Sequence, residues 1–492
     1  MGLRYKPTIH RRFEIDGSSF IYASRSAAVL EIDDVSSAIL DRFDAPSGTE
    51  LSHWEESIAG TREEEDQWET FEGLVAMGLL EPVGQVLPES PTLPPMPYPL
   101  QTLVLNVTNK CNLACTYCYE YGEDQLADAA EERPERTPRM TPETARKSVD
   151  FLFDRSPGRG EVTITFFGGE TLLNFPAVRD ATEHALARAS ETGRRVSFSL
   201  TTNATLLTDA VIEFLTTHKF GINVSIDGGR ADQDRHRVTH GGKGTYDHIA
   251  PRIRKLCERN RAAGGRPIGA RVTLTSGMAP VRETFRHLTE ELDFDAVGFA
   301  PVTSASDRDY ALDDGHLGTI LSEFTALADD YVEAAIAGRR HGFSNLHDLL
   351  MEIHQGVDKA HPCGAGLGLL GVSTEGDLGL CHRFVDSGTH EVGSIDDGID
   401  EEKRQAFLRD GHISKKVACH ECFAKPHCSG GCYHEAYVRY KDASKPNLHY
   451  CEWIRAWTDL GLRSYARIVR ENPSFFEPHA GRGKTERSEA AS

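Results

Sequence analysis

The chain has 492 residues, 39% of them hydrophobic and 26% charged, with a formal net charge of -21 at pH 7. Such a length accommodates about three domains at roughly 150 residues each. The acidic balance argues against a nucleic-acid partner, because such a binder neutralises phosphates with Lys and Arg. No apolar run is long enough to span a bilayer, so no membrane partner is expected. The opening MGLRYKPTIHRRFEID lacks the apolar core of a secretory signal, which leads us to expect the chain in the cytoplasm. Eleven cysteines in a compartment that keeps thiols reduced point to metal or cluster ligation, or to catalysis, rather than to disulfides.

Taken in chain order, residues 10–81 read as a small mixed unit. Phe13–Ile15, Ser19–Tyr22 and Ala28–Ile32 are expected strands, and Asp34–Phe43 and Glu64–Leu80 expected helices. A linker follows over 82–100, where seven prolines favour extended chain. From Gln101 onward, strand-like and helix-like segments alternate. TLVLNV, EVTITFF, RVSFSLTT, GINVSI, GARVTLT and DAVGFAPV are the strands, and helices are expected to begin near Pro142, Pro176, Asp209, Tyr246 and Pro280. Six such alternations predict an α/β fold with a parallel sheet and helices packed outside it. A long helix over 308–340 closes this unit, assigned 101–340. Residues 341–471 are rich in Cys, His and Gly and poor in long periodic segments, and 472–492 read as a disordered tail.

The strand Leu103–Val107 runs straight into TNKCNLACTYCYE. Its C-x3-C-x2-C spacing puts Cys111, Cys115 and Cys118 on one loop, close enough to grip three corners of a 4Fe–4S cubane. Four thiolates are usual for such a cluster, so three on one loop leave an iron open to a small molecule. The competing reading is a zinc site completed by a distant Cys or His. Loops at the C-terminal ends of barrel strands are where active sites sit.

This motif, with Tyr117 before its last Cys, resembles the radical S-adenosylmethionine (SAM) superfamily. The resemblance implies a partial (β/α)6 TIM-like barrel whose first loop holds a SAM-binding cluster. FFGGETLLN at the second strand end matches the family's glycine–glycine–glutamate, so Gly168, Gly169 and Glu170 are expected to meet SAM, with Thr171 where the family has Pro. Thr202 and Asn203 at the third strand end, and Ser225 and Asp227 at the fourth, fall at cofactor-contacting positions. Asp234 and Arg237 fit the family's D-x-x-R pair.

Downstream, Cys363 and Cys381 form C-x12-G-x4-C around Gly376. Cys419, Cys422, Cys428 and Cys432 form C-x2-C-x5-C-x3-C, and Cys451 completes seven. These resemble the SPASM extension of peptide-modifying radical SAM enzymes, which implies two auxiliary 4Fe–4S clusters and so three clusters in all. Which thiol belongs to which cluster stays open, as does a non-Cys ligand or an open iron. The alternative is a zinc knuckle at Cys419–Cys432 aided by His420, His427 or His434, which would make the chain a zinc-bound interaction scaffold. Cys257 is left over and reads as structural.

Within that group the chain most resembles the maturases of quinohemoprotein amine dehydrogenase, on the TNKCNLACTYCYEYGE stretch, the GGETLLN variant, the front unit and the length. This implies a winged-helix-like recognition domain at 10–81 and a substrate that is a peptide or small protein with Cys and acidic residues. It also implies an electron donor such as flavodoxin or ferredoxin, and Cys-to-Asp/Glu thioether formation started by a 5′-deoxyadenosyl radical. Other radical SAM maturases, of another ribosomal peptide or of a sulfatase, compete with it. Asp396 and Asp397 are guesses for the base that deprotonates the thiol.

Overall fold

The computed structural model describes residues 2–84, 98–118, 137–304 and 307–479. Most of the expected linker and residues 480–492 of the expected tail therefore lie outside the described residues.

The N-terminal strands are β1 (Arg4–Pro7), β2 (His10–Ile15), β3 (Ser18–Ala23), β4 (Ala28–Ile32), β5 (Thr49–Glu50) and β6 (Leu80–Pro82). They make two small antiparallel sheets, one in the order β5-β1-β6 and one in the order β2-β3-β4. Helices Asp34–Phe43, Leu51–Ile58 and Glu64–Ala76 pack with them around Phe43, Trp54, Phe71 and Leu74. The second helix had no sequence expectation. Phe13, Phe20 and Tyr22 instead face the body of the molecule and belong to its main core.

Six parallel strands follow: β7 (Thr102–Asn106), β8 (Glu161–Phe167), β9 (Arg195–Thr202), β10 (Gly221–Ser225), β11 (Gly269–Leu274) and β12 (Ala296–Pro301). These coincide with the six strands expected from the sequence. Alternate residues are buried against outer helices in β8, where Val162, Ile164 and Phe166 are buried and Thr163, Thr165 and Phe167 face inward, whereas β7 buries four residues in a row. The helices begin with ordinary signals. Thr141 caps Pro142–Asp154 by accepting from Thr144 N at 3.0 Å, and Thr208 caps Asp209–Thr217 in the same way. The long helix spans Asp314–Ile336, inside the expected 308–340.

The C-terminal region does more than hold cysteines. Strand β13 (Leu369–Val372) pairs parallel with β7, and β14 (Asp377–Gly379), β15 (Glu391–Ser394) and β16 (Gly398–Ile399) continue antiparallel. The result is one ten-stranded sheet in the order β12-β11-β10-β9-β8-β7-β13-β14-β15-β16. Helices Ser344–His354 and Cys451–Glu471 cover it, with Leu346, Leu350, Leu462 and Ile468 in the core. Pro473–His479, expected in the disordered tail, form a short helical segment instead. Its Phe476 is buried and stacks on His354 at 4.7 Å, so apolar burial holds it in place. Among the described residues, no helix is long and apolar enough to cross a membrane.

Candidate functional site

The C-terminal ends of the parallel strands close around a cavity of about 210 Å³. Cys111, Cys115 and Cys118 line one side of it, and Gly168, Gly169, Glu170, Thr202, Asn203, Ser225 and Arg237 line others. The loop that carries the three thiols is held by backbone bonds as well as by side chains such as Asn112 and Thr116. Ala114 N donates to Val238 O at 2.8 Å, Thr116 N donates to His236 O at 3.2 Å, and Cys118 N donates to Cys115 O at 3.2 Å. Burial pushes the Cys115 thiol up to about 12, against a lowering by the Arg237 guanidinium. Burial likewise raises Cys111, and the thiols raise one another. Metal loading must therefore displace protons from this loop.

Gly168 has φ +133, and a Cβ there would stand 2.4 Å from Thr108 O. Only glycine lets the second strand end pass this close to the cluster loop, and Gly169 N donates to that same oxygen at 3.0 Å. Glu170 is buried, and its carboxylate accepts from Thr202 Oγ1 at 2.7 Å, Asn203 N at 2.7 Å and Leu172 N at 3.1 Å. Burial raises its pKa while those three bonds oppose the rise. This side chain stitches the second strand end to the third. Asn203 Nδ2 donates to Asn112 Oδ1 at 2.9 Å and lies 3.9 Å from Cys111 Sγ, which joins the third strand end to the cluster loop.

Asp227 and Arg237 form a second buried unit. Arg237 Nε lies 3.0 Å from Asp227 Oδ2, and Nη2 donates to Oδ1 at 3.1 Å. Thr273 N donates to Oδ1 at 3.1 Å, and the Tyr117 hydroxyl donates to Oδ2. Burial alone would lower the arginine's pKa, and Asp227, Tyr117 and Cys115 together outweigh it and hold the guanidinium above its usual range. Asp234, the other residue of the D-x-x-R motif, is held away from this unit. Asp234 Oδ1 accepts instead from Thr245 N at 2.6 Å and Tyr246 N at 2.8 Å, at the start of the helix Tyr246–Ala262.

The seven downstream thiols fall into two sets. Cys419 senses Cys428, Cys451 and Cys422, and these four line one cavity of about 220 Å³ together with Cys432. Cys381 senses Cys363 and Cys432, and Cys363 senses Cys432. Four thiols and three thiols suit two iron–sulfur clusters, the second with one position for another ligand. The histidines of the zinc alternative are engaged elsewhere. His420 Nε2 meets Ser414 O at 2.9 Å, His427 Nε2 meets the Tyr22 hydroxyl at 3.0 Å, and His434 packs edge-on to Phe384. Among the described residues, no three His, Cys, Asp or Glu side chains converge on a point that would hold a single metal ion. Thiolate-only sets suit zinc and iron–sulfur clusters alike. Lys416, buried and donating to Ser429 O at 2.9 Å, senses Cys419, Cys428 and Cys363, so one ammonium serves both sets.

Asp396 and Asp397 are not part of either cavity. They lie in the exposed turn between β15 and β16, where Asp396 pairs with Lys147 at 3.1 Å and Asp397 accepts from Ser394 Oγ at 2.8 Å. Cys257 is buried on the helix Tyr246–Ala262, far up in pKa at about 12 through burial, as a packing thiol would be. Sequence reasoning missed Thr273, Val302 and Arg383 in the cavity wall. For Arg383 a signal was available, because it stands two residues after Cys381.

Residues 105–275 match the radical SAM superfamily. The serine-type anaerobic sulfatase-maturating enzyme of Bacteroides thetaiotaomicron is 26% identical over 390 residues, which is 73% of this chain and 88% of that protein. The cysteine-type anaerobic sulfatase-maturating enzyme of Clostridium novyi is 21% identical over 397 residues, 75% of this chain and 97% of that protein. A solved structure described as native anSMEcpe with bound AdoMet superposes with a TM-score of 0.60 at 22% identity. It covers 77% of this chain and 99% of that one, so the two share a fold and this chain has residues that one lacks.

Proposed function

We propose, for a chain whose residues 105–275 match the radical SAM superfamily, an enzyme that modifies a peptide or small protein using SAM and three 4Fe–4S clusters. The observation that carries this reading is three thiols of one loop opening onto a cavity walled by successive strand ends. Cys111, Cys115 and Cys118 hold the SAM-binding cluster. Cys419, Cys422, Cys428 and Cys451 hold one auxiliary cluster, and Cys363, Cys381 and Cys432 hold the other. When bound, these groups supply a carbon-centred radical that takes a substrate hydrogen atom, and an acceptor for the remaining electron. The protein's own residues shape and dry the cavity. Gly168 and Gly169 bring backbone to SAM, Thr202, Asn203 and Ser225 line its bed, and Glu170 and the Asp227–Arg237 pair hold that bed rigid. A flavodoxin or ferredoxin delivers the first electron.

In its finer form the reaction joins a Cys sulfur to an Asp or Glu side-chain carbon in the small subunit of quinohemoprotein amine dehydrogenase. Residues beyond the part shared with the sulfatase-maturase fold favour this, with the N-terminal unit acting as the recognition element for the substrate. Sulfatase maturation is the second reading, favoured by the relatives that match most of the chain.

The test is anaerobic reconstitution followed by assay of iron content and of 5′-deoxyadenosine. Replacing Cys111, Cys115 and Cys118 together by Ala is expected to abolish SAM cleavage while the auxiliary absorbance remains. Persistent cleavage in that variant overturns the proposal. Co-expression with each candidate substrate, followed by fragment mass spectrometry, separates the two finer readings.

A further inference from the structure

Lys416 is buried, and among the described residues its side chain has one hydrogen-bond acceptor, Ser429 O at 2.9 Å, and no carboxylate partner. The turn that meets it is shaped to admit it. Ser429 and Gly430 have φ +48 and +88, and the first is a conformation that L residues rarely adopt. Ser429 is held there by Lys425 O, 3.0 Å from its N–H, and by Lys359 O, 2.7 Å from its hydroxyl. The turn aims the Ser429 carbonyl at the lysine, and a Cβ on Gly430 would stand 2.6 Å from Lys416 Nζ. The Tyr433 ring lies 5.0 Å from the same nitrogen, within the range of a cation–π contact.

These contacts place Nζ between the two sets of downstream thiols. Ser429 follows Cys428, and Gly430 and Gly431 wall the cavity lined by Cys419, Cys422, Cys428 and Cys451. Tyr433 follows Cys432, and its hydroxyl meets His361 Nδ1 at 2.5 Å, two residues before Cys363. Burial lowers the lysine's pKa, and Cys419, Cys428 and Cys363 oppose that as thiolates. A buried cation with no anion beside it is costly, so a fold that builds a place for one calls for a negative charge nearby. Four thiolates around a 4Fe–4S core carry a net negative charge, which grows by one on reduction. A fixed cation beside such a core favours its reduced form.

We propose that Lys416 is the shared counter-charge of the two auxiliary clusters and raises the reduction potential of both. The proposal rests on the seven downstream thiols being cluster ligands, and adds to that reading a direction, with electrons drawn toward the C-terminal pair. Lys416 acts on the clusters through its charge alone.

The test uses the full-length chain with Cys111, Cys115 and Cys118 replaced by Ala, so that only auxiliary signals remain. After anaerobic reconstitution, iron content is measured, and the midpoint of each cluster is read by EPR during titration with dithionite. In Lys416→Gln we expect the equilibrium constant for reduction of each cluster to fall about tenfold, as removal of one nearby unit charge from a buried site implies. For one electron that is a shift of about 59 mV. Lys416→Arg keeps the charge and should stay close to the midpoints of the Lys416 protein. Lys416→Met, neutral and of similar length, serves if the Gln variant does not load iron. Failure of both neutral variants to load while Lys416→Arg loads also supports the proposal, because the charge is then needed for assembly. Unchanged midpoints in a loaded neutral variant overturn it, and so does a shift confined to one cluster. A loss of loading or a shift in Lys416→Arg equal to that of the neutral variants overturns it too, since packing rather than charge is then at work. Iron too low for two clusters in the protein that retains Lys416 removes the cluster reading itself, whereas full iron with unmoved midpoints removes only the role of Lys416.

Discussion

Asp227 spends both carboxylate oxygens inside the cavity wall, on Arg237, Tyr117 and the backbone of Thr273. Asp227→Asn leaves a buried guanidinium uncompensated and is expected to destabilise the fold by about 3–5 kcal/mol. Replacing both residues by apolar ones of similar size should restore most of that, and urea denaturation of the three proteins checks it. This pairing was illegible in the sequence. Asp234 is nearer in the chain, but the N–H groups of the next helix claim it, and only the folded barrel brings Asp227 across. The thiols were legible because their spacing is local.

His341 offers a test of acid sensitivity. Its ring stacks on Phe285 at 4.9 Å, and burial lowers its pKa below 6.5, with Asp330 opposing. Below pH 6.5 the unfolded chain takes up a proton that the folded chain resists, so this contribution to stability is lost as pH falls through that region. His341→Phe should flatten the stability profile below about pH 6.5 by at most about 1.4 kcal/mol per pH unit. Thermal melts across that range measure it.

Among the elements, the turn after β8 is the least tolerant. Gly168→Ala forces backbone against the Thr108 carbonyl at a φ that L residues avoid, so the loops after β7 and β8 must separate. We expect SAM affinity to fall about tenfold or more, measured by equilibrium binding, with cluster iron less affected. The six barrel strands were readable because apolar or β-branched residues, alternating or in a run, leave a record in the sequence. Strands β13–β16 span four residues or fewer each and leave no such record. The helix Cys451–Glu471 was masked by its own first residue, a cysteine that drew attention to metal rather than to the apolar stripe behind it.

At the scale of the whole molecule, the N-terminal unit is built into the body. Arg11 pairs with Asp459, Arg463 and Arg470 donate to Glu14 O and Ile15 O, and Tyr22 meets His427, the residue before Cys428. Deleting residues 2–84 uncovers the apolar surface that Phe13, Phe20 and Tyr22 cover. A lower melting temperature and increased aggregation of the remaining protein are the expected outcome, followed by scanning calorimetry and light scattering. Composition marked where this unit ends but not how it docks, since docking depends on which face of a three-stranded sheet meets the body.

The parallel ladder between β7 and β13 runs through Leu103↔Leu370 and Val104↔Gly371, and β7 also carries the first cysteine loop. An exchange of the C-terminal half with that of a relative must therefore import a strand in matching register, or it breaks the sheet at its centre. A chimera joined outside this ladder would misplace the two redox regions by whole residues, about 3.3 Å at a time. Inheritance by module-swapping is accordingly constrained here: the two halves travel together or the seam fails.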